Sequence, residues 1–346
     1  MARWLGRRAP KLSATELYRR LAAGGSIASR RTCVKDFETD DPAAMQLFKP
    51  DPDTPGRWRE PSLEMRMQVY SEIVRELART AFPPGEAAPR GIIQVSCTGY
   101  EAPSAVQRLC TERGWTRDTM LLSLGHMGCH AALPATRTAA QLGQDGGGTL
   151  SLLFAELCTL HMRLDAEEPH QIVAQHLFAD GAIRVDCAAS PFPRGFTLLG
   201  SFERLLADSS EHMTWALSGT GFRLALARHV PAVIARELPG IVADFLAEHG
   251  LYRDAITCYA IHPGGTRIIQ GVATALEIAG EEPIRHSLAL LRTRGNMSSA
   301  TLPHVWSAML DDAAVPDGAL ILSLAFGPGL TVAGNLMRKH GAAAWH

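Results

Sequence analysis

A thiol, an imidazole and an amide stand at element ends in this chain. Cys129 lies in Gly125-His126-Met127-Gly128-Cys129-His130-Ala131-Ala132-Leu133, between a strand-forming run, Met120 to Leu124, and a helix-forming run, Ala131 to Leu142. A thiol on a Gly-containing turn at a helix N-terminus meets free backbone N–H groups and the positive end of the helix dipole, which favour a thiolate. A thiolate is a soft nucleophile and a good leaving group, as thioester exchange requires. His262 follows the strand-like run Ala255 to Ile261 and precedes Pro263-Gly264-Gly265, and Asn296 lies in Arg294-Gly295-Asn296-Met297-Ser298-Ser299. An imidazole and an amide can together hold a developing oxyanion. Each residue alone has a plainer reading: a buried helix-start Cys, a strand-end His, a turn Asn after Gly. Together they suggest acyl-thioester chemistry.

The elements that must position them alternate. Gly91 to Cys97, Met120 to Leu124, Thr149 to Glu156, Asp180 to Cys187, Phe196 to Phe202, Met213 to Leu217, Ala255 to Ile261 and Ala319 to Phe326 read as strands. Helices are expected over Pro103 to Arg113, Ala131 to Leu142, Val230 to Glu248, Gly265 to Ile278 and Leu302 to Asp311. Upstream, Ser13-Ala14-Thr15-Glu16 reads as a capping box opening a helix through Leu21. Pro61 opens an amphipathic helix to Phe82. Asp36 to Arg59, rich in Asp and Pro and without periodicity, reads as a surface excursion. The rhythm implies an α/β fold with mainly parallel sheets covered by helices. The strand–thiol–helix and strand–His–helix units look like counterparts in two halves, 1–205 with the thiol and 206–346 with His and Asn.

The 346 residues suffice for two halves sharing one core. Apolar content of 46%, charged content of 20% and a net charge of −1 fit a globular chain without a nucleic-acid partner. No run of about 18 apolar residues occurs, so no membrane span is expected, and the basic N-terminus lacks the apolar stretch of a signal peptide. Seven scattered cysteines, none at zinc-knuckle spacing, point to a reduced cytoplasmic protein without a metal site.

Five motifs in order resemble those of the type III polyketide synthases, the chalcone-synthase-like branch of the thiolase superfamily. They are Gly128-Cys129, Leu177-Phe178-Ala179-Asp180-Gly181-Ala182, His262-Pro263-Gly264-Gly265, Gly295-Asn296-Met297-Ser298-Ser299-Ala300 and Ala325-Phe326-Gly327-Pro328-Gly329. The resemblance implies a five-layer αβαβα fold with two similar halves and mixed sheets, a homodimer, and a Cys129-His262-Asn296 triad. It implies coenzyme A or phosphopantetheine thioesters as substrates and no tightly bound cofactor. Arg31-Thr32-Cys33-Val34-Lys35 carries the family's phosphate-holding pattern, with Arg31 and Lys35 in the binding roles. A lysine usual three residues before that arginine is replaced by Ala28, so a carrier-protein arm could replace coenzyme A.

The resemblance also implies a pocket lined by Phe178, Phe222, Leu224, Phe326, Gly327 and Pro328, with Met127 and Gly219-Thr220-Gly221 as further candidates. Leu224 falls where plant enzymes carry a pocket Phe. The His-Met-Gly-Cys-x-Ala-Ala form resembles a bacterial subgroup that joins two acyl thioesters into α-pyrones. In such enzymes a glutamate from a loop crossing the dimer interface abstracts the donor's α-proton, and Glu101 is offset by one residue from that place. Two readings stay open: joining of two preformed chains, favoured by a base at Glu101, and iterative malonyl extension giving alkylpyrones or alkylresorcinols, favoured by a site without one. A reading from another class is a non-catalytic subunit that binds acyl carriers. An intact Cys-His-Asn set argues against it.

Overall fold

A computed structural model of the chain describes residues 2–341 except 9–11, 55–56, 118, 145–146, 165 and 191, with backbone alone at 2, 3, 6, 12 and 170. In chain order the elements are α1 (Ala2–Arg8), α2 (Leu12–Ala23), α3 (Leu63–Ala81), β1 (Gly91–Ser96), α4 (Ala105–Arg113), β2 (Met120–Gly125), α5 (Ala132–Gly143), β3 (Leu150–Leu157), α6 (Pro169–Leu177) and β4 (Asp180–Cys187). The second half continues with β5 (Gly195–Leu205), β6 (Met213–Ser218), β7 (Gly221–Leu226), α7 (Val230–Glu248), β8 (Cys258–Ile261), α8 (Thr266–Ala275), α9 (Arg285–Arg294), α10 (Thr301–Asp311), β9 (Leu320–Gly327) and β10 (Thr331–His340).

Two four-stranded mixed sheets carry the fold. The first has the order β2-β1-β3-β4, with β1 parallel to β2 and β3, and β4 antiparallel to β3. The second has the order β5-β10-β9-β8, with β8 parallel to β9, and β10 antiparallel to β9 and β5. β6 and β7 form a separate hairpin. β1 and β3 are buried along their whole length, as central strands covered on both faces must be, and so read as near-continuous apolar runs.

Three apolar cores define five layers. The outer core on the first sheet joins α3 and α4 to Leu153, Ala155 and Leu157 of β3. The middle core joins Ile93 and Val95 of β1, the small face Ala132, Ala135 and Ala139 of α5, Trp306 and Met309 of α10, and Ile321 and Ala325 of β9. The outer core on the second sheet joins Val233, Leu238 and Val242 of α7 and Ile269 of α8 to Leu322 and Leu324 of β9. α5 and α10 are therefore sandwiched between the sheets. The order is helix, sheet, helix, sheet, helix, in agreement with the thiolase-like αβαβα expectation.

Three expectations need correction. β5 pairs with β10, so the division between sheets falls between β4 and β5 rather than at 205. Ser13 lies inside α2 instead of capping it, and Glu16 pairs with Arg19 and Arg20. The Asp36–Arg59 stretch is not a solvated excursion. The buried Asp36 carboxylate accepts the N–H groups of Gln46, Leu47 and Phe48, and Phe37 and Phe48 pack around Trp4. Hydrogen bonding to one carboxylate replaces periodicity there, so pattern could not reveal it.

Candidate active site

Cys129 stands on the turn from β2 to α5. Gly128 takes φ +80°, and an added Cβ would lie 2.6 Å from Pro328 Cδ, so only glycine fits between the nucleophile turn and the 327–329 loop. The Gly128 N–H donates to Cys97 Sγ at 3.0 Å, and the Ala131 N–H donates to the Gly128 carbonyl at 3.2 Å. α5 begins only at Ala132, three residues beyond the sulfur. Burial pushes the Cys129 thiol up to about 12, while Ser298 and Asn296 pull it back and the Glu156 charge adds to the rise. The helix-start effect expected from the sequence is thus outweighed by desolvation.

Asn296 follows α9 on a glycine turn that threads beside the end of α6. Its N–H donates to the Leu177 carbonyl and its carbonyl accepts from the Ala179 N–H, so the Leu177–Ala182 box and the Asn loop are stitched together. Asn296 Oδ1 accepts from the Ser298 N–H at 2.9 Å and from Thr301 Oγ1 at 3.3 Å. With the oxygen committed, the amide N–H groups remain to donate toward Cys129, whose thiol they help to ionise. Ser298, at φ +49°, places its Oγ 4.0 Å from Cys129 Sγ. His262 leaves β8 with its N–H on the Leu324 carbonyl at 2.8 Å. The residue is 2% exposed, neither ring nitrogen has a hydrogen-bond partner among the described residues, and burial, then the His130 charge, lowers it to about 3. Cys129 and Asn296 therefore converge. His262 is buried at the end of β8 within the field of His130.

The sulfur opens into a small pocket with a cavity volume of about 40 Å³. Cys97, Thr98 and Cys158 form one wall, while Met213, Trp215 and Leu224 of the β6–β7 hairpin form the opposite one. Phe178, Ser298 and Pro328 complete it. Cys158, Phe178, Trp215 and Leu224 also border a second chamber reaching His161, Gln171 and Phe222. Phe178, Leu224 and Pro328 thus line the nucleophile's pocket, whereas Phe222 lines only the chamber beyond. Phe326 does not line it, because strand alternation turns this residue into the outer core with α7 and α8. Gly327 faces His130 instead of the pocket, and Met127 packs into the middle core. Of the 219–221 turn, Gly219 accepts the Leu63 N–H and Gly221 abuts Arg66 and His161.

The hairpin is held by aromatic packing. Phe222 stacks on His161 with ring centroids 4.2 Å apart, and it meets Tyr100, His126 and Trp215 edge-on. Trp215 Nε1 donates to the Cys97 carbonyl at 2.8 Å, and the Trp215 carbonyl lies 2.6 Å from His126 Nε2.

The remaining candidates lie apart from the sulfur. The Glu101 carboxylate accepts from Ser71 Oγ at 2.5 Å and lies 3.6 Å from Arg75, both on α3 of the same chain, and Glu101 is not among the pocket walls. Arg31 and Lys35 are exposed, Arg31 on an irregular segment and Lys35 at the start of a 3-10 turn, Lys35–Glu38. Asp180 pins that segment, taking the Cys33 N–H at 2.7 Å while its own N–H donates to the Arg31 carbonyl. The neighbouring Arg30 is half-buried and donates to the Gln175 and Phe178 carbonyls, so it braces the segment. Among the described residues no group of three or more His, Cys, Asp or Glu is arranged to hold a metal, and no helix is long and apolar enough to cross a membrane.

Residues 197–340 match the C-terminal domain of chalcone and stilbene synthases. The chain is 32% identical over 256 residues to a 1,3,6,8-tetrahydroxynaphthalene synthase of Streptomyces peucetius, an alignment spanning 71% of this chain and 66% of that one. The chain belongs to the type III polyketide synthase family. An alpha-pyrone synthesis polyketide synthase-like Pks18 of Mycobacterium tuberculosis is 28% identical over 327 residues, spanning 90% of this chain and 79% of that one. The crystal structure of PKS-I from the brown alga Ectocarpus siliculosus superposes with a TM-score of 0.85 at 25% identity, covering 98% of this chain and 93% of that one.

This type III polyketide synthase also uses residues that no motif marks. Glu156 of β3 is fully buried and accepts the Cys97 N–H, Thr98 Oγ1, and the N–H and Oγ of Ser299. One carboxylate therefore ties the strand end that meets Gly128 to the loop that carries Asn296. Burial raises its pKa, and the four donors oppose that rise. The only sequence signal was a Glu in an otherwise apolar strand, LSLLFAEL. Cys97 and Trp215 are brought in by tertiary folding alone.

Proposed function

We propose that the protein forms carbon–carbon bonds by Claisen condensation of acyl thioesters through an acyl group carried on Cys129. The observation that supports this best is a thiol facing an apolar pocket with an oriented amide donor from Asn296. In this reaction His262 takes the thiol proton, so that sulfur and imidazole ionise as a pair. The thiolate attacks an acyl thioester of coenzyme A or a phosphopantetheine arm, releases the thiol, and keeps the acyl group on Cys129. A malonyl thioester then loses CO2, and its enolate oxygen is held by N–H donors of His262 and Asn296. The enolate carbon attacks the Cys129 thioester, yielding a β-keto thioester and returning the thiolate. The β-keto acyl group returns to Cys129 and is extended once more with loss of CO2, and attack of the C5 enol oxygen of the resulting 3,5-diketo thioester on C1 expels the carrier thiol and gives an α-pyrone.

Decarboxylation is preferred to α-proton abstraction because no carboxylate borders the pocket and Glu101 is engaged by Ser71 and Arg75. This favours iterative extension over the joining of two preformed chains. Arg31 and Lys35 would meet the phosphates of the incoming carrier. We also assign a homodimer in a reducing cytoplasm. β2 is an edge strand with Met120 and Leu121 exposed at one end and the exposed Tyr100 near Gly125 at the other, a face that a second copy would cover. The seven cysteines are all free.

The test is incubation with a medium-chain acyl-CoA and [1-14C/3-14C]malonyl-CoA, following CO2 release and pyrone product. CO2 released in step with pyrone supports the decarboxylative reading. Product formed only from a preformed β-ketoacyl thioester, without CO2, would replace it with chain joining. A sedimentation mass of a single chain would remove the dimer.

A further inference from the structure

His130 follows the nucleophile directly in the chain, yet it does not border the pocket. Its ring is 4% exposed and points to the second half. His130 Nε2 lies 3.2 Å from Glu203 Oε1, and Glu203 Oε2 receives Arg137 Nη2 at 2.7 Å. Glu203 sits on β5, paired with Ala333 of β10, whereas Arg137 sits on α5 two turns beyond His130. The contact therefore runs from the nucleophile turn of the first half to the outer strand of the second sheet.

The path is cut to fit this ring. A Cβ on Gly327, at the end of β9, would lie 1.8 Å from His130 Nδ1. The next residue, Pro328, fills the space that a Cβ on Gly128 would need. Both chain neighbours of Cys129 are thus seated on consecutive residues of one loop. That loop continues β9, the strand whose Leu324 carbonyl holds the His262 N–H. The docking of the turn on this loop determines how far the sulfur stands from His262.

We propose that His130 is a positioning residue that, by its bond to Glu203, sets the separation and alignment of Cys129 and His262. It acts through the backbone of the turn and does not touch substrate. Glu203 accepts the hydrogen on Nε2, and Nδ1 stands over Gly327. A single polar partner in an otherwise packed site orients the ring as an apolar side chain could not. The groups facing the ring are Glu203 from β5, Arg137 from α5 and His262 beyond β8. His130 and Arg137 hold the Glu203 carboxyl down to about 2, so the bond is kept at neutral pH and is lost only as pH falls toward that value. Misplacing a reacting atom by about 1 Å can cost on the order of 100-fold in rate.

The inference rests on Cys129 as the nucleophile, but its test does not need the condensation reaction. The second-order rate of Cys129 alkylation by iodoacetamide is measured from pH 6 to 9 for wild type, His130→Phe, His130→Gln and Glu203→Ala, with melting temperature alongside and with kcat and KM for acyl transfer. His130→Phe and Glu203→Ala are expected to slow alkylation about 10–100-fold at pH 7 and to displace its pH profile upward. They are expected to lower kcat with KM little changed. The double variant should be no slower than either single one, and His130→Gln, which keeps a donor for Glu203, should recover most of the rate. Folded His130→Phe or Glu203→Ala protein that alkylates with the wild-type rate and profile overturns the proposal. If His130→Phe does not fold, Glu203→Ala alone decides by the same criterion. Wild-type protein that alkylates at Cys129 but never accepts an acyl group contradicts the proposed reaction and leaves the role of His130 to the alkylation comparison.

Discussion

At the residue scale the chemistry turns on two groups that are each costly to charge. Desolvation raises the Cys129 thiol to about 12 and lowers His262 to about 3, so neither ionises by itself near neutrality. In the proposed reaction the imidazole is the proton acceptor that gives a thiolate at pH 7, while Ser298 and Asn296 also lower the thiol. Replacing His262 by Gln removes the acceptor. Alkylation of Cys129 at pH 7 is then expected to fall about tenfold or more, and the rate should keep climbing beyond pH 9 instead of levelling off. Stopped alkylation followed by peptide mass mapping measures this. An unchanged rate at pH 7 would mean that the thiol is activated without His262. The three residues were legible because each sits in a short motif at a strand or helix end. Glu156, Cys97 and Trp215 were not, because their contacts join parts of the chain between 31 and 143 residues apart and leave no local pattern.

At the element scale the nucleophile turn is the junction of both halves. Cys97 meets it from β1, Pro328 from the loop after β9, and His130 carries it to β5. Gly128→Ala would force a Cβ into Pro328 and put an L-residue at φ +80°. The backbone term alone costs about 1–2 kcal/mol. Denaturant unfolding should show at least that loss, and acyl transfer should fall further than stability because the turn itself is displaced. Wild-type stability would contradict the packing described. Most strands and helices were readable from apolar runs and breakers. The ones missed have polar exteriors over buried interiors. β10, TVAGNLMRKH, ends in charge, but Lys339 is buried and its ammonium is held by the carbonyls of Met309, Asp312 and Val315. α9, RHSLALLRTR, starts and ends in arginines, and only its middle turns meet the core. β7 hides in a hairpin whose outer face is exposed.

At the scale of the whole molecule the packed layers hold ionisable groups in unfavourable states. Burial lowers His161 and His262 to about 3, and His176 and His304 to about 4. In the unfolded chain these rings take protons near the ordinary histidine value of about 6.5. Between that pH and about 4 the unfolded state binds more protons, so stability falls as pH falls. Asp180, raised by burial to about 6, acts oppositely, because the folded chain binds its proton first. Four rings outweigh it, and the net expectation is a melting temperature that drops steadily from pH 7 to pH 5. A flat or rising trend in calorimetry would show that these histidines are not neutral in the folded state. The two-half organisation and its middle helices were legible in the repeated strand–turn–helix units. The division between halves was not, because β5 follows β4 in sequence but joins the other sheet.

The most direct measurement is the intact mass of the purified protein after incubation with medium-chain acyl-CoA alone, with Cys129→Ala in parallel. An adduct of one acyl group per chain on wild type, mapped to Cys129 and absent from Cys129→Ala, is the predicted result. An adduct that persists in Cys129→Ala, or none on wild type with either acyl-CoA or an acylated carrier protein, would contradict covalent catalysis by this thiol.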